Sequence, residues 1–453
     1  MKNIIAQAIT KIKRKISESD DIFKQNNWEK SYVSLTNDIR RQAFIEILSE
    51  IDEDYFLSEE RKGRYLSKDI VGRTLVTTFG TIIFKRRKYI CRRTRSSYYF
   101  VDKLLELLPY QRVSNTAVAF VLNEVIYSNL SYQKASERLG LTRSFVYTTL
   151  KKIQTETIYF KIDKPLTCDY LHVIADEDHV AVQDKNRKRL SGSTNRHLLR
   201  QITIYTDLET VCKGRNKLKN KVVFCQYENE TVEDFCLRVH QFICKSYNIN
   251  QEIYVYGDGA TWIKTLANIV GTKFILDKFH MMQALTRICT GKRNSEIRTH
   301  LLELIKGNNK KGFNHLIETL YPNGMSDFKK KQVFYIKNNW TFYQNNFKLP
   351  NALVCSAEAI NSHYFASRLS SRPMGFSIAN IHKLGVLLSI NASKVDISVF
   401  LQENIKALLE KKKAVRDTFK HQINQTISLP LINYKNNQTR ELFKGLMYDD
   451  LII

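Results

Sequence analysis

A mixed α/β fold is the class the sequence predicts for its main part, and three observations predict it. From Pro165 onward, apolar runs of strand length recur, with helical periodicity between the later ones. One such run, in "YVYGDGATW", ends on a single acid, Asp258, held between two glycines where a helical pattern begins. Another, "LHVIADEDHVAVQ", is interrupted by Asp176 and Asp178.

The elements follow in order. "LHVIADEDHVAVQ", "HLLRQITIYTDLE" and "NKVVFCQY" read as three strands. "TVEDFCLRVHQFICKSYN" is an amphipathic helix, with Val232, Phe235, Cys236, Val239, Phe242 and Ile243 at helical spacing. "EIYVYGDG" is a fourth strand, "ATWIKTLANIV" a helix and "KFILDKFHM" a fifth strand. Two early hairpin connections and two crossovers give a mixed sheet. This is the order of an RNase H-like domain, in which the first and fourth strands are neighbours. That domain is assigned to residues 165–286 and 350–400. Residues 287–349 are helical and polar, with no strand pattern, and read as an insertion. Its Trp340, Phe342 and Tyr343 suit either contact with DNA or a partner, or a small core of its own. Residues 401–453 form a charged, helix-prone tail.

Before this core, residues 1–60 read as charged amphipathic helix. Residues 61–110 hold a β-hairpin, "GRTLVTTFGTIIFKRRKYICR", whose second arm carries Lys85, Arg86, Arg87 and Lys88. That arm is either a charged, solvated edge strand or a ribbon contacting phosphates through Arg86 and Arg87. Residues 111–160 contain "LSYQKASERLGLTRSFVYTTLKKI". Ser131 caps one helix with Ala135 and Leu139 inward, Gly140 turns the chain, and Thr142 caps a second helix with Val146 and Leu150 inward. The layout is that of a helix-turn-helix, and an ordinary helical hairpin shares its spacing. The second helix, which enters the major groove of double-stranded DNA in this motif, would expose Arg143, Ser144, Tyr147 and Thr148, with Lys151 and Lys152 near its end.

Composition narrows the partners. The 453 residues carry 71 Lys and Arg against 45 Asp and Glu, a net +26. That excess calls for a polyanion, and its spread along the chain favours nucleic acid over a membrane surface. No segment approaches the roughly 20 apolar residues of a membrane span, and the amino terminus is no signal peptide, so a cytoplasmic protein is expected. No Cys-x-x-Cys pair occurs among the eight cysteines, and buried, reduced thiols are expected. No Gly-x-Gly-x-x-Gly is present, and no nucleotide cofactor is expected.

The acids carry the chemistry. Ligands bind outside the carboxyl ends of strands in α/β sheets, and Asp258 ends the fourth strand. Flanking glycines allow a sharp turn that leaves the carboxylate uncrowded, although a plain Asp-Gly turn would look the same. Asp176 and Asp178 share a strand face and repel without a cation or proton between them. Asp176 on the first strand would meet Asp258 on the fourth. A third acid must come from a later helix, and Glu358 in "CSAEAINSH" starts one. Three such carboxylates suit two Mg²⁺ or Mn²⁺ ions in a phosphodiester-cleaving site.

"ADEDHVAVQ", "YGDGATWI", "FILDKFHM" and "SAEAINSHYFASRLSSRPMGFS" occur in that order, and "TTFGTIIFKRRKY" precedes them. With them the chain resembles the DDE transposases of bacterial insertion sequences, of the ISLre type, over nearly its whole length. The resemblance implies an RNase H-like catalytic domain with a helical insertion before the last acid, binding to terminal inverted repeats, and a homo-oligomer in the synaptic complex. It implies Asp176, Asp258 and Glu358 as the catalytic and metal-binding triad, with Asp178 the alternative first acid and His280 lining the site. Ala359 and Phe376 stand where the family pattern has Gly and Trp. A domesticated DNA-binding protein, or an RNase H-fold nuclease or resolvase without strand joining, are the competing readings.

Overall fold

A computed structural model describes residues 28–153, 164–183, 196–212, 215–289, 294–349, 357–371 and 375–398, with a few isolated positions besides. The predicted helix before residue 28 and the tail 401–453 thus fall outside the described residues. The chain divides into two compact units, Met1–Lys152 with Ser398–Ile453, and Ile153–Ile397.

In the first unit a long helix, α1 (Trp28–Leu57), and a short one, α2 (Glu59–Arg64), precede a hairpin of β1 (Tyr65–Thr77) and β2 (Gly80–Cys91). The strands are antiparallel with Val71 opposite Arg86, and a short β3 (Ser97–Tyr98) extends the sheet. Its core is Leu48, Leu75, Ile82, Phe84 and Val101, the last from α3 (Phe100–Leu104). The basic arm differs from both sequence readings. Arg86 is buried, on the face of β2 that also buries Ile82 and Phe84. Arg87 pairs with Asp52 at 3.0 Å and with Glu53, both on α1. Strand alternation turns Arg86 inward, and α1 supplies the carboxylates that neutralise Arg87. Neither projects freely from an exposed strand face.

Three helices complete the unit: α4 (Asn115–Ile126), α5 (Tyr132–Glu137) and α6 (Arg143–Lys152). Ser131 Oγ accepts from Lys134 N, and Thr142 Oγ1 accepts from Phe145 N, capping α5 and α6. Ala135, Val146 and Leu150 are buried. Gly140 turns the chain between the helices.

The second unit is built on a five-stranded mixed sheet. Its strands are β4 (Leu166–Ala181), β5 (Arg196–Tyr205), β8 (Val222–Cys225), β9 (Tyr247–Gly257) and β10 (Lys273–Leu276), in the order β10-β9-β4-β5-β8. β4, β5 and β8 are antiparallel neighbours; β9 joins β4 in parallel and β10 joins β9 in parallel. The crossovers use α7 (Val232–Ser246), which buries Phe235, Cys236, Val239 and Ile243, and α8 (Thr261–Val270). Between β5 and β8 the structure adds a hairpin the sequence reading lacks, β6 (Asp207–Cys212) with β7 (Arg215–Lys219). Its β6 residues are largely exposed, so no apolar alternation announces it.

The predicted fifth strand also stops earlier. It ends at Leu276, because Asp277 Oδ1 accepts from Phe279 N and caps α9 (Lys278–Ile288). The insertion follows as α10 (Asn294–Lys306), α11 (Lys310–Leu320), α12 (Asp327–Asn338) and α13 (Trp340–Lys348). Of the three aromatics singled out there, Trp340 and Tyr343 are buried in one core with the sheet residues Val173, Val255 and Leu276, and Phe342 is half-buried against it. Asn345 and Asn346 donate to the carbonyls of Phe274 and Leu276, covering the sheet edge at β10. On the opposite face, α14 (Ala357–Ile360) runs into a π-helical turn, Asn361–Ala366, and α15 (Ser367–Leu369). Ala357 and Ile360 pack there on Ile174, Tyr254, Tyr256 and Ile275. The long helix α16 (Ile378–Ala392) lies against β8 and β5. The seven described cysteines form no disulfide.

Two packing features are testable. Burial lowers the pKa of His172 to about 4; its Nδ1 is 2.9 Å from Tyr256 Oη. The unfolded chain therefore takes up a proton near pH 6.5 that the native chain refuses. The contribution is complete above pH 6.5 and is lost as pH falls toward 4. We expect His172→Gln to flatten the melting temperature's dependence on pH across that window, by up to about 3 kcal/mol of stability. An unchanged dependence would assign the slope to other groups. Gly257 ends β9 where a Cβ would lie 2.6 Å from Ile263 Cδ1 and 2.9 Å from the Ala175 carbonyl. Gly257→Ala is expected to cost about 1–3 kcal/mol in a denaturant titration.

Candidate active site

β4 supplies the first group of acids. Its last pair with β9 is Ile174 with Tyr256, and Asp176 stands two residues further along β4. Asp258 stands two residues further along the other chain, just past the end of β9. The first and fourth strands thus deliver Asp176 and Asp258 at one level, just past the end of their parallel pairing; β9 ends there, while β4 continues to Ala181 beside β5. Asp277 reaches the same level on the next strand, since Leu276 pairs with Gly257 and Asp277 N donates to the Gly257 carbonyl at 2.8 Å.

Local hydrogen bonds fix each carboxylate. Asp176 Oδ1 accepts from Glu177 N at 2.8 Å, and Asp258 Oδ1 accepts from Ala260 N at 2.9 Å. The second bond is an Asx turn that leads into α8, so Asp258 does shape its turn. The two glycines divide their work. Gly259 has φ +93° and supplies the turn, whereas Gly257 is needed for close approach to Ile263 and Ala175.

The alternation of β4 sorts its three acids. Glu177 faces the other side of the sheet, where Trp262 Nε1 donates to its Oε2 at 3.0 Å and Arg200 Nε lies 4.0 Å away. Asp178 shares the Asp176 face but is buried, and its Oδ2 has no hydrogen-bond partner. Burial raises its pKa, opposed by hydrogen bonds from the Ser370 hydroxyl and the His179 amide. Opposite Asp176 sits Gln201, buried, with both amide atoms unpartnered.

The π-bearing helix carries Glu358 against β4, and Asn361 Nδ2 reaches the Glu177 carbonyl at 3.4 Å. The Glu358 side chain lies outside the described residues. His280 sits on α9, its Nε2 4.0 Å from Asp277 Oδ2, at the end of β10.

The insertion contributes a residue that sequence reasoning missed. Tyr335 on α12 donates its hydroxyl to the Asp258 carbonyl at 2.6 Å. Burial, with Asp258 and Asp277 nearby, raises the Tyr335 pKa, so it stays a neutral donor. Asn339 packs one turn on, where a Cβ on Gly259 would meet its Oδ1. The available signal was the helical spacing of Tyr335 and Asn339 in an otherwise charged segment.

Among the described side chains, no group of three or more His, Cys, Asp or Glu is close enough to hold a metal ion. The donor chemistry still fits a hard divalent cation. Asp176 and Asp258 offer oxygens from neighbouring strand ends, and the orphaned oxygens of Gln201 and Asp178 flank Asp176.

Comparison with known proteins gives a family. The model of an uncharacterised protein family, UPF0236, matches residues 18–397. A UPF0236 protein of Caldanaerobacter subterraneus subsp. tengcongensis, whose name joins eleven numbered designations, is 28% identical over 353 residues, covering 76% of this chain and 72% of its own length. A second from the same organism is 27% identical over 353 residues, covering 76% and 73%. Among solved structures, the Drosophila P element transposase strand transfer complex aligns over 74% of this chain and 86% of its own. Its identity is 13% and its TM-score 0.21, too low to argue from. The family is thus a coarser finding than the insertion-sequence resemblance of the motifs: the chain belongs to UPF0236.

Proposed function

We propose that the chain is a DNA transposase that binds the terminal inverted repeats of its own insertion sequence and catalyses metal-dependent strand cleavage and strand transfer. The observation that carries this reading is the delivery of Asp176 and Asp258 to one level, just past the end of the parallel pairing of β4 with β9. The strand order β10-β9-β4-β5-β8, with α14 packed on β4, is consistent with an RNase H-like domain whose third acid is Glu358. The relative's name, one protein under eleven numbered designations, suits a gene copied about its genome.

In this reading Asp176, Asp258 and Glu358 hold the metal, and the backbone bonds to Asp176 and Asp258 keep two of these carboxylates in place before DNA arrives. Two Mg²⁺ or Mn²⁺ ions would supply activation of a water or 3′-hydroxyl and offset charge on the leaving oxygen. Tyr335 holds the Asp258 loop from behind, and His280 lies at the rim. The helices α5 and α6 act as a helix-turn-helix. Arg143, Ser144, Tyr147 and Lys151 are exposed along α6, opposite the buried Val146 and Leu150, while Lys152 is half-buried at its end. The first turn of α6 reads bases and the lysines meet phosphate. A homo-oligomer would hold two element ends together.

Asp258→Asn tests the catalytic role, because Asn retains the Oδ1 acceptor for Ala260 N and removes only the charge. Mg²⁺-dependent cleavage of terminal-repeat DNA should fall on the order of a thousandfold or more, with normal melting and retained DNA binding. Asp176→Asn and Glu358→Gln should match it, and the three should be non-additive. Parent-rate cleavage by a well-folded Asp258→Asn variant would remove Asp258 from the site. If Asp178→Asn abolishes cleavage and Asp176→Asn does not, the first acid is Asp178.

Arg143→Ala should cost about 1–3 kcal/mol of discrimination between terminal and random DNA. Lys151→Ala should weaken both alike and lower the salt slope by about one. Equal affinity of the parent chain for both DNAs would refute specific recognition by α6.

A further inference from the structure

The first unit contains a buried charge imbalance. Arg73 and Arg86 share one carboxylate, Asp102. Both terminal nitrogens of Arg73 are engaged: Nη1 donates to Asp102 Oδ2 at 2.7 Å, and Nη2 donates to the Leu108 and Gln111 carbonyls, leaving only its Nε without a partner. Those of Arg86 are not both engaged. Its Nε lies 3.0 Å from Asp102 Oδ1 without a hydrogen bond, and its Nη1 is buried without a partner. The guanidinium is stacked 4.0 Å from the Tyr99 ring centroid. Burial and Arg73 lower the Arg86 pKa, and Asp102, with smaller contributions from Tyr99 and Asp52, offsets them only in part. A buried cation in excess of its counter-ions is unfavourable unless an anion reaches it.

An anion has access. Arg73 and Arg86 line a groove of about 1500 Å³. Lys88, Lys103 and Arg112 line it too, with Lys103 and Arg112 exposed. Against these five cations the lining carboxylates are Asp102 and Glu106. The groove exceeds the size a single small ion requires, and cations spaced along it match a polymer of phosphates better than one anion. Arginine's planar fork suits phosphate oxygens.

We infer that this groove seats the phosphodiester backbone of DNA, with one phosphate against Arg86. The site is separate from the α6 surface, and the inference rests on the reading that the chain handles DNA. It explains why β2 turns a second arginine inward toward an already neutralised Asp102.

The experiment uses the full chain and a labelled duplex of random sequence, since backbone contacts carry no sequence preference. Lys103→Gln with Arg112→Gln should weaken binding about tenfold or more and lower the slope of log K against log salt by about two. Removing Lys30 and Lys68, exposed charges that do not line the groove, should change both much less. Arg86→Met removes the excess charge and leaves the Arg73–Asp102 pair, so it should bind DNA more weakly while melting at or above the parent temperature. Unchanged affinity and slope in the rim variant, or parent affinity in a normally melting Arg86→Met, would overturn the inference. Calorimetric binding of inorganic phosphate by a chain whose DNA affinity ignores these substitutions would overturn the DNA assignment. Cleavage is not measured, so a failure of the catalytic reading leaves this result readable.

Discussion

The parallel pairing of β4 with β9 is the constraint on which the second unit depends. From Leu171–Ile253 to Ile174–Tyr256 the two strands run in register, with both faces buried. A parallel neighbour cannot be reached by a hairpin, so the chain must leave β8 at the far edge, cross through α7 and return beside β4. The same requirement places α8 between β9 and β10. It also brings three neighbouring strands to one level, where β9 and β10 end and β4 runs on, and each carries an aspartate there: Asp176, Asp258 and Asp277.

Around that level, polar groups are arranged by a division between faces. Glu177 is held on the face of the large core by Trp262 and Arg200. Asp176 and Asp178 lie on the other, where the π-bearing helix packs. One residue of strand slippage would exchange these roles, and the long antiparallel pairing with β5, from His172–Tyr205 to Ala181–Arg196, resists such slippage. The helical insertion then closes the sheet edge at β10 and reaches back to the Asp258 loop through Tyr335. It serves the site as a brace whose described core residues belong to the same cluster as the sheet.

The net charge of +26 is not all surface charge. Arg87 is neutralised by Asp52 and Glu53, Arg73 by Asp102, and Arg238 by Glu230. Such internal pairs return less stability than their Coulomb attraction suggests, because both ions must be desolvated. Their effect here is positional: Arg73 ties the hairpin to α3 and to the loop carbonyls of Leu108 and Gln111. Arg86, left over, is the point where this internal economy fails to close.

Local and periodic signals were readable from the sequence because neighbouring residues alone determine them. The caps Ser131 and Thr142, the inward Ala135, Val146 and Leu150, the amphipathic α7 and the five apolar strand runs follow from spacing and propensity, as does the mixed α/β class. Of the strand order, the sequence reading held only that the first and fourth strands are neighbours, by analogy with the RNase H-like element order, and β4 does pair with β9. The tertiary structure decided the rest. It ended β10 at Asp277, because a cap is recognised only when its amide partner is in place. It added the β6–β7 hairpin, whose exposed faces carry no apolar alternation. It buried Trp340, Tyr343 and Arg86, residues that look like surface contacts until a facing sheet or helix covers them. It also assigned Gly257 to close packing and Gly259 to the turn. Two glycines on either side of one acid look alike along a chain, and only the atoms that crowd a missing Cβ, or a positive φ, tell them apart.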